Sequence, residues 1–272
     1  MSADEAEAIA AVPVPATAGS VVRDLHALGL AVGDVVIVHT SMSRLGWIAG
    51  GAQAVVEALL QAVGATGTVV MPTQSGQLSD PATWSNPPVP ADWQQAIRKG
   101  FPAYDPYLTP TRGMGQVVEC FRVHRSTLRS AHPLVSFAAN GPQAHEILEP
   151  HALTPALGDA SPLGRLYQLD AKVLLLGVDH STDTSLHLAE YRAEWPSKRR
   201  ITEGAPLLVD GRRTWVTYDD LDLDTDDFAA VGDAFARAGG ERRGPVAGGT
   251  GRLARQRALI DFATAWFAAQ RH

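Results

Sequence analysis

The stretch TSLHLAEY, residues 184–191, sets His187 three positions before Glu190. On a helix, residues at i and i+3 share a face. Such a pair can transfer protons, supply half of a metal site, or be an ordinary surface pair. His187 follows a Ser/Thr/Asp cluster at 181–185 that offers helix N-caps. The positive end of a helix dipole disfavours imidazolium, and a neutral imidazole is what a general base needs near pH 7. Position alone still favours a satisfied, partly buried histidine. A metal would need more ligands at fitting spacing; His180 is in reach along the chain, but no Cys or acidic partner completes a set. Glu190 can hold an imidazole nitrogen or a substrate amine. Taken alone, a pair with Arg192, Arg199 or Arg200 is the favoured reading.

Other segments carry weaker signals. HTSMS, His39 to Ser43, ends an apolar run with hydroxyls and free backbone N–H groups, which suit a phosphate or pantetheine chain as well as they suit capping of the next element. His39 itself reads as structural. LRSAHP, residues 128–133, places Arg129 beside Ser130 and His132, a weak phosphate signal. Asp219, Asp220, Asp222, Asp224, Asp226 and Asp227 crowd one segment; like charges so close are solvated or met by cations, so a solvated loop is the ordinary reading and a polyamine ligand the alternative.

Several motifs are missing or fail. No G-x-S-x-G elbow, Walker A loop or H-E-x-x-H is present. RGMGQV, residues 112–117, has Val117 where the phosphate loop of the common N-acetyltransferase superfamily needs a small residue. DLDTDDFAAVGD, residues 222–233, has Asp227 where a calcium loop needs Gly, and ends in Asp rather than Glu.

These residues need elements to hold them. The 272-residue chain suits one large α/β domain or two small ones. SVVRDLHALGL reads as a helix ending at Gly29. DVVIVHTS (34–41), the helix between Gly51 and Gly64, and GTVVMPT (67–73) read as a βαβ unit, which implies a partly parallel sheet. Residues 74–112 lack a sustained period and read as an insert or lid. A helix resumes near Gly115, PLVSFAANG reads as an edge strand, and KVLLLGVDH (172–180) as a buried strand ahead of the His187 helix. PLLVDGRRTWVTY reads as a hairpin turning at Asp210-Gly211, and a final helix spans roughly 251–268, packing Leu253, Leu259, Ile260, Phe262 and Trp266. The expected fold is a single α/β domain over 20–272, with a mixed, partly parallel sheet flanked by helices and an antiparallel part toward the C-terminus. Residues 1–19, acidic and then Ala/Pro-rich, read as a flexible arm without the basic start and apolar core of a secretory signal.

A formal charge of −6 with no clustered basic face argues against nucleic-acid binding, and no apolar run is long enough to cross a membrane. The one cysteine, Cys120, excludes an intramolecular disulfide and reads as buried filler in a reducing, cytoplasmic setting. Oligomeric state is not readable.

VIVHTSMSRLG, GGAQAVVEALLQAVGATGTVVMPT, YDPYLTPTRGMG, RSAHPLVSFAANGPQA, SPLGRL, KVLLLGVDHSTDTSLHLAEYRA and RRGPVAGG occur in this order. From about residue 20 onward, the ordered set strongly resembles the aminoglycoside 3-N-acetyltransferase family. The resemblance implies an α/β fold distinct from the common N-acetyltransferase superfamily, acetyl-CoA as co-substrate, no metal, and N-acetylation of the 3-amino group of a polycationic aminoglycoside, conferring resistance. It makes His187 the catalytic base and Glu190 a carboxylate that assists it and lines the aminoglycoside site. It points to Thr40, Ser41, Ser43, Arg129 and Ser130 as CoA-binding residues, and to Asp80, Asp105, Asp220 and Asp222 as further aminoglycoside ligands. The same fold acting on a nucleotide-linked or secondary-metabolite amine, or binding CoA or aminoglycoside without turnover, is the alternative.

Overall fold

The computed structural model describes residues 9–10 and 14–272, so part of the expected arm, residues 1–8 and 11–13, lies outside it. Ala16 already pairs in parallel with Ile48. Thr17 caps helix α1, Ala18–Leu28, which ends on left-handed Gly29. The folded body thus reaches ahead of residue 20.

Strand β1 (Val35–Thr40), helix α2 (Gly51–Val63) and strand β2 (Thr68–Pro72) form the expected βαβ unit, with Val36 opposite Val69 and Ile37 opposite Val70 in parallel. Later come strands β3 (Leu128–Arg129), β4 (Phe137–Asn140), β5 (Lys172–Leu176), β8 (Glu241–Val246) and β9 (Gly249–Arg255). They complete a seven-stranded sheet in the order β3-β4-β2-β1-β5-β9-β8. The pairs β1·β2 and β1·β5 are parallel; β4, β9 and β8 add antiparallel strands on either side.

Strand side chains alternate between faces, and this sorts the core. Ile37, Val70, Val173 and Leu175 point into one apolar cluster; Val38, Met71, Leu174 and Leu176 point into the other. Helices α1, α2 and α4 (Gln116–Arg122) cover the second face. The first is covered by α5 (Ala144–Leu148), α6 (Pro162–Gln168), α7 (Leu186–Arg192), α8 (Phe228–Arg237) and α9 (Gln256–Gln270). Strands buried on both faces read as unbroken apolar runs, which is why β1, β2 and β5 were visible in the sequence.

A separate two-stranded sheet joins β6 (Arg200–Val209) and β7 (Arg212–Leu221). Asp210 and Gly211 at its turn both have positive φ, 50° and 73°, the requirement of a type I′ turn. The insert rests on this hairpin through an aromatic stack of Trp84, Phe101 and Trp215, and through Tyr104 N–H donating to the Pro206 carbonyl at 2.8 Å.

The structure corrects several local expectations. The insert contains a helix, α3 (Ala91–Gly100), none of whose residues is buried, although Trp93, Ala96 and Ile97 share one apolar face at helical spacing. FAAN is not an edge strand: β4 lies between β2 and β3. Residues 249–255, expected in part as helix, are strand β9, because they pair with both β5 and β8. Leu253 therefore packs from a strand, and the helix begins at Gln256. Cys120 is only partly buried.

Candidate active site

Strands β1, β2 and β5 end at one rim of the sheet, and β1 sends its chain to β2 on one side while pairing with β5 on the other. Open α/β sheets bind ligands outside the carboxyl ends of strands at such a switch point. A cleft of about 290 Å³ lies there. Its lining includes His39 and Thr40 from the end of β1, Pro72 from β2, and His187 from α7, with Thr225 and Phe228 opposite.

His187 occupies the second position of α7, which follows the turn after β5. It is 8% exposed, and its ring lies 5.0 Å from that of Phe228. Helical spacing brings Glu190 beneath it: Nδ1 is 2.5 Å from Glu190 Oε2. Glu190 is fully buried. Its other oxygen, Oε1, accepts from Arg271 Nη1 at 2.7 Å and from the Asp224 backbone N–H at 3.0 Å. With Nδ1–H donating to the carboxylate, the lone pair sits on Nε2. This is the tautomer of a general base oriented by an acid. The expected partners Arg192, Arg199 and Arg200 do not reach Glu190; Arg271 does. Both of its oxygens are thus engaged, Oε2 at the His187 ring and Oε1 at Arg271 and the Asp224 N–H.

Behind the cleft lies a second buried charge array. His180 Nδ1 and Nε2 donate to Asp183 at 2.9 Å and Glu241 at 2.8 Å. Burial would lower the basicity of this ring, but bonds to two carboxylates outweigh it and hold its pKa at about 9, so it is an imidazolium. Gly232 makes room for it: a Cβ there would stand 2.4 Å from the His180 Cβ. Asp183 also faces His39, whose Nε2 is 3.5 Å from Oδ1. Burial, foremost, lowers the pKa of His39 against the pull of Asp183, and His180 and His187 lower it further. His39 is a cleft residue, whereas its place straight after an apolar run had suggested a structural one. Among the described residues no group of three or more His, Cys, Asp or Glu side chains is placed to hold a metal ion.

The remaining candidates divide. Thr40 lines the cleft. Ser41 and Ser43 follow it, their hydroxyls 3.2 Å apart. Arg129 and Ser130 do not join them. The Arg129 guanidinium is spent on Thr73, Ser75, Pro106, Thr109 and Ser136. Ser130 is fully buried between the His151 ring and the Phe137 N–H. Both tie the end of the insert to β2 and β4.

The carboxylates expected to bind a polycation are largely committed too. Asp80 caps a 3-10 turn and forms a bidentate pair with Arg98. Asp105 accepts from the Tyr107 and Leu108 backbone in its own turn. Asp222 pairs with Arg199 at 2.5 Å and lines a different pocket, which it shares with Arg271. Asp220 is 4% exposed and accepts from Ala156 N–H at 2.9 Å. It lies close to Glu203, which the sequence reading passed over. Glu203 Oε2 is buried with no hydrogen-bond partner among the described residues. Burial, then Asp80 and Asp220, push its pKa up. Its only advance signal was the alternation of RITEGAP along a strand.

A family model described as aminoglycoside 3-N-acetyltransferase matches residues 37–268. The chain is 46% identical over 254 residues, 93% of each chain, to the SPbeta prophage-derived aminoglycoside N(3')-acetyltransferase-like protein YokD of Bacillus subtilis. The crystal structure of YokD superimposes with a TM-score of 0.95 over 97% of this chain and 98% of that one, at 44% identity. Aminoglycoside N(3)-acetyltransferase VIII of Streptomyces fradiae is 43% identical over 222 residues, 80% of this chain and 76% of its own. The structure described as AAC-IIIb binary with CoASH matches with a TM-score of 0.84 and 31% identity, over 94% of this chain and 98% of that one.

Proposed function

Since the chain belongs to the aminoglycoside 3-N-acetyltransferase family, we propose that it transfers the acetyl group of acetyl-CoA to the 3-amino group of the 2-deoxystreptamine ring of an aminoglycoside. The observation that carries this reading is the His187–Glu190 pair, 2.5 Å apart at the floor of a cleft at the strand ends. The Streptomyces fradiae relative is named an aminoglycoside N(3)-acetyltransferase, and AAC-IIIb is described with CoASH bound. Loss of one ammonium charge weakens a polycation's hold on RNA phosphates, which supports a resistance role.

His187 Nε2 takes a proton from the attacking nitrogen as its lone pair closes on the thioester carbonyl. The C–S bond then breaks, and the proton passes to the departing thiolate. Positioned general-base catalysis of this kind is worth roughly 10²–10⁴-fold. Glu190 keeps Nδ1 protonated and steadies positive charge on the ring. Thr40, with Ser41 and Ser43, offers hydroxyls to the pantetheine end of acetyl-CoA. Glu203 and Asp220 on the hairpin add to the negative field that draws a polycation toward the protein.

The test is thiol release from acetyl-CoA across a panel of aminoglycosides, including some lacking a free 3-amino group. Release is expected only where that amine is present, and His187→Ala should abolish it while acetyl-CoA still binds. Release with none of the panel, or wild-type kcat in the variant, refutes the reading.

A further inference from the structure

We propose that His39 is a second proton acceptor of the cleft, taking the first of two protons that an ammonium substrate sheds, while His187 takes the second. This rests on the acetyl transfer proposed above. The overall balance is R–NH₃⁺ + CH₃C(O)–SCoA → R–NH–C(O)CH₃ + HSCoA + H⁺. An ammonium nitrogen has no lone pair, so one N–H bond must break before the C–N bond can form. A second N–H bond breaks as the C–S bond is cleaved, and that proton ends on the thiolate. One imidazole holds one proton at a time, so a site that meets its substrate as the ammonium gains from a second acceptor.

His39 has the surroundings of one. It lines the same cleft as His187. Its Nε2 is buried without a hydrogen-bond partner among the described residues and faces Asp183 Oδ1 at 3.5 Å. An N–H on Nε2 directed at that carboxylate leaves the lone pair on Nδ1. Each cleft histidine therefore faces a buried carboxylate: Glu190 for His187, and for His39 the Asp183 that it shares with His180.

Asp183, His180 and His187 are the ionisable groups that act on His39. Asp183 Oδ1 also accepts from the Ser185 N–H at 3.0 Å, and Oδ2 stays on the His180 imidazolium. His180 leads on to Glu241, which Arg243 and Arg252 contact. Charge thus alternates in sign from Asp183 through His180 to Glu241 and its arginines on β8 and β9, and a proton arriving on His39 meets the Asp183 carboxylate, whose pull the His180 imidazolium partly offsets. The resting ring is neutral because burial disfavours its charged form, and only the neutral form accepts a proton.

The test is the dependence of kcat/KM for an aminoglycoside on pH, from about pH 6 to about pH 10, across which an amine titrates. His39→Gln is expected to lose about 10²-fold at the acidic end, and the deficit should shrink and close as the free amine becomes the main form in solution. His187→Asn should stay inactive throughout. In His39→Ala, free imidazole should restore turnover at the acidic end and add nothing at the alkaline end, with melting curves confirming that both variants fold. A His39→Gln deficit that is the same at every pH, or no deficit at neutral pH, overturns the proposal. Wild-type protein that acetylates no aminoglycoside overturns the acetyl-transfer reading instead.

Discussion

Arg271 holds Glu190 from the side opposite His187: its Nη1 lies 2.7 Å from Oε1, while Oε2 meets the His187 ring. The guanidinium also binds Asp227 and the Asp224 carbonyl and stacks on the Phe267 ring, 4.0 Å from its centroid. Removing one partner of a buried ion pair leaves an uncompensated charge and costs about 3–5 kcal/mol. Arg271→Met is therefore predicted to lower stability by that order in urea unfolding and to reduce kcat, because Glu190 loses its anchor. Unchanged stability and kcat would show that the contact does neither.

Glu190→Gln keeps the volume of the side chain but puts an amide where His187 Nδ1–H needs an acceptor. Replacing the carboxylate behind a catalytic histidine by its amide costs up to ~10⁴-fold in kcat. A loss of that order is predicted, with the KM for acetyl-CoA little changed. A rise in KM alone would return Glu190 to the substrate site.

Arg129→Ala should act on stability rather than on acetyl-CoA. It strips donors from the buried Thr73 and the partly buried Thr109 carbonyls, at about 1–3 kcal/mol for a buried group left unpaired. A lower melting temperature with an unchanged acetyl-CoA KM in the folded variant is expected; a selective rise in that KM would restore it to the CoA site.

Glu203→Gln should raise the aminoglycoside KM, since its Oε2 has no partner within the described residues. Asp222→Asn should not, because Arg199 already occupies that carboxylate. The reverse pattern would move the polycation site to the pocket beside Arg271.

Stability should fall on both sides of mildly acidic pH. The bonds to Asp183 and Glu241 overcome burial and raise the His180 pKa from 6.5 to about 9. Its contribution is complete below pH 6.5 and is lost as pH rises through about 9. Burial lowers His132 to about 4 and His151 to about 3. The unfolded chain then takes up protons that these rings refuse, so stability is lost as pH falls from 6.5 toward those values. Urea midpoints should be highest near pH 6.5, and His180→Asn should flatten the alkaline fall. A midpoint that climbs steadily to pH 9 would contradict the His180 assignment.

The sequence by itself determined what the backbone repeats locally. The apolar runs of β1, β2 and β5, the Asp210-Gly211 turn and the i,i+3 face of His187 and Glu190 follow from periods of 2 and 3.6, and the ordered motifs supplied the family. Only the tertiary structure decided which distant groups met. Arg271 reaches Glu190 because α9 packs on α7; Asp183 stands behind His39 because β1 and β5 are neighbours; the Arg129 guanidinium is engaged by carbonyls of the insert. Strand β9 is set the same way, by pairing on both edges with β5 and β8 rather than by a period of its own. Contacts across the sheet depend on how its layers stack, and no local spacing encodes that.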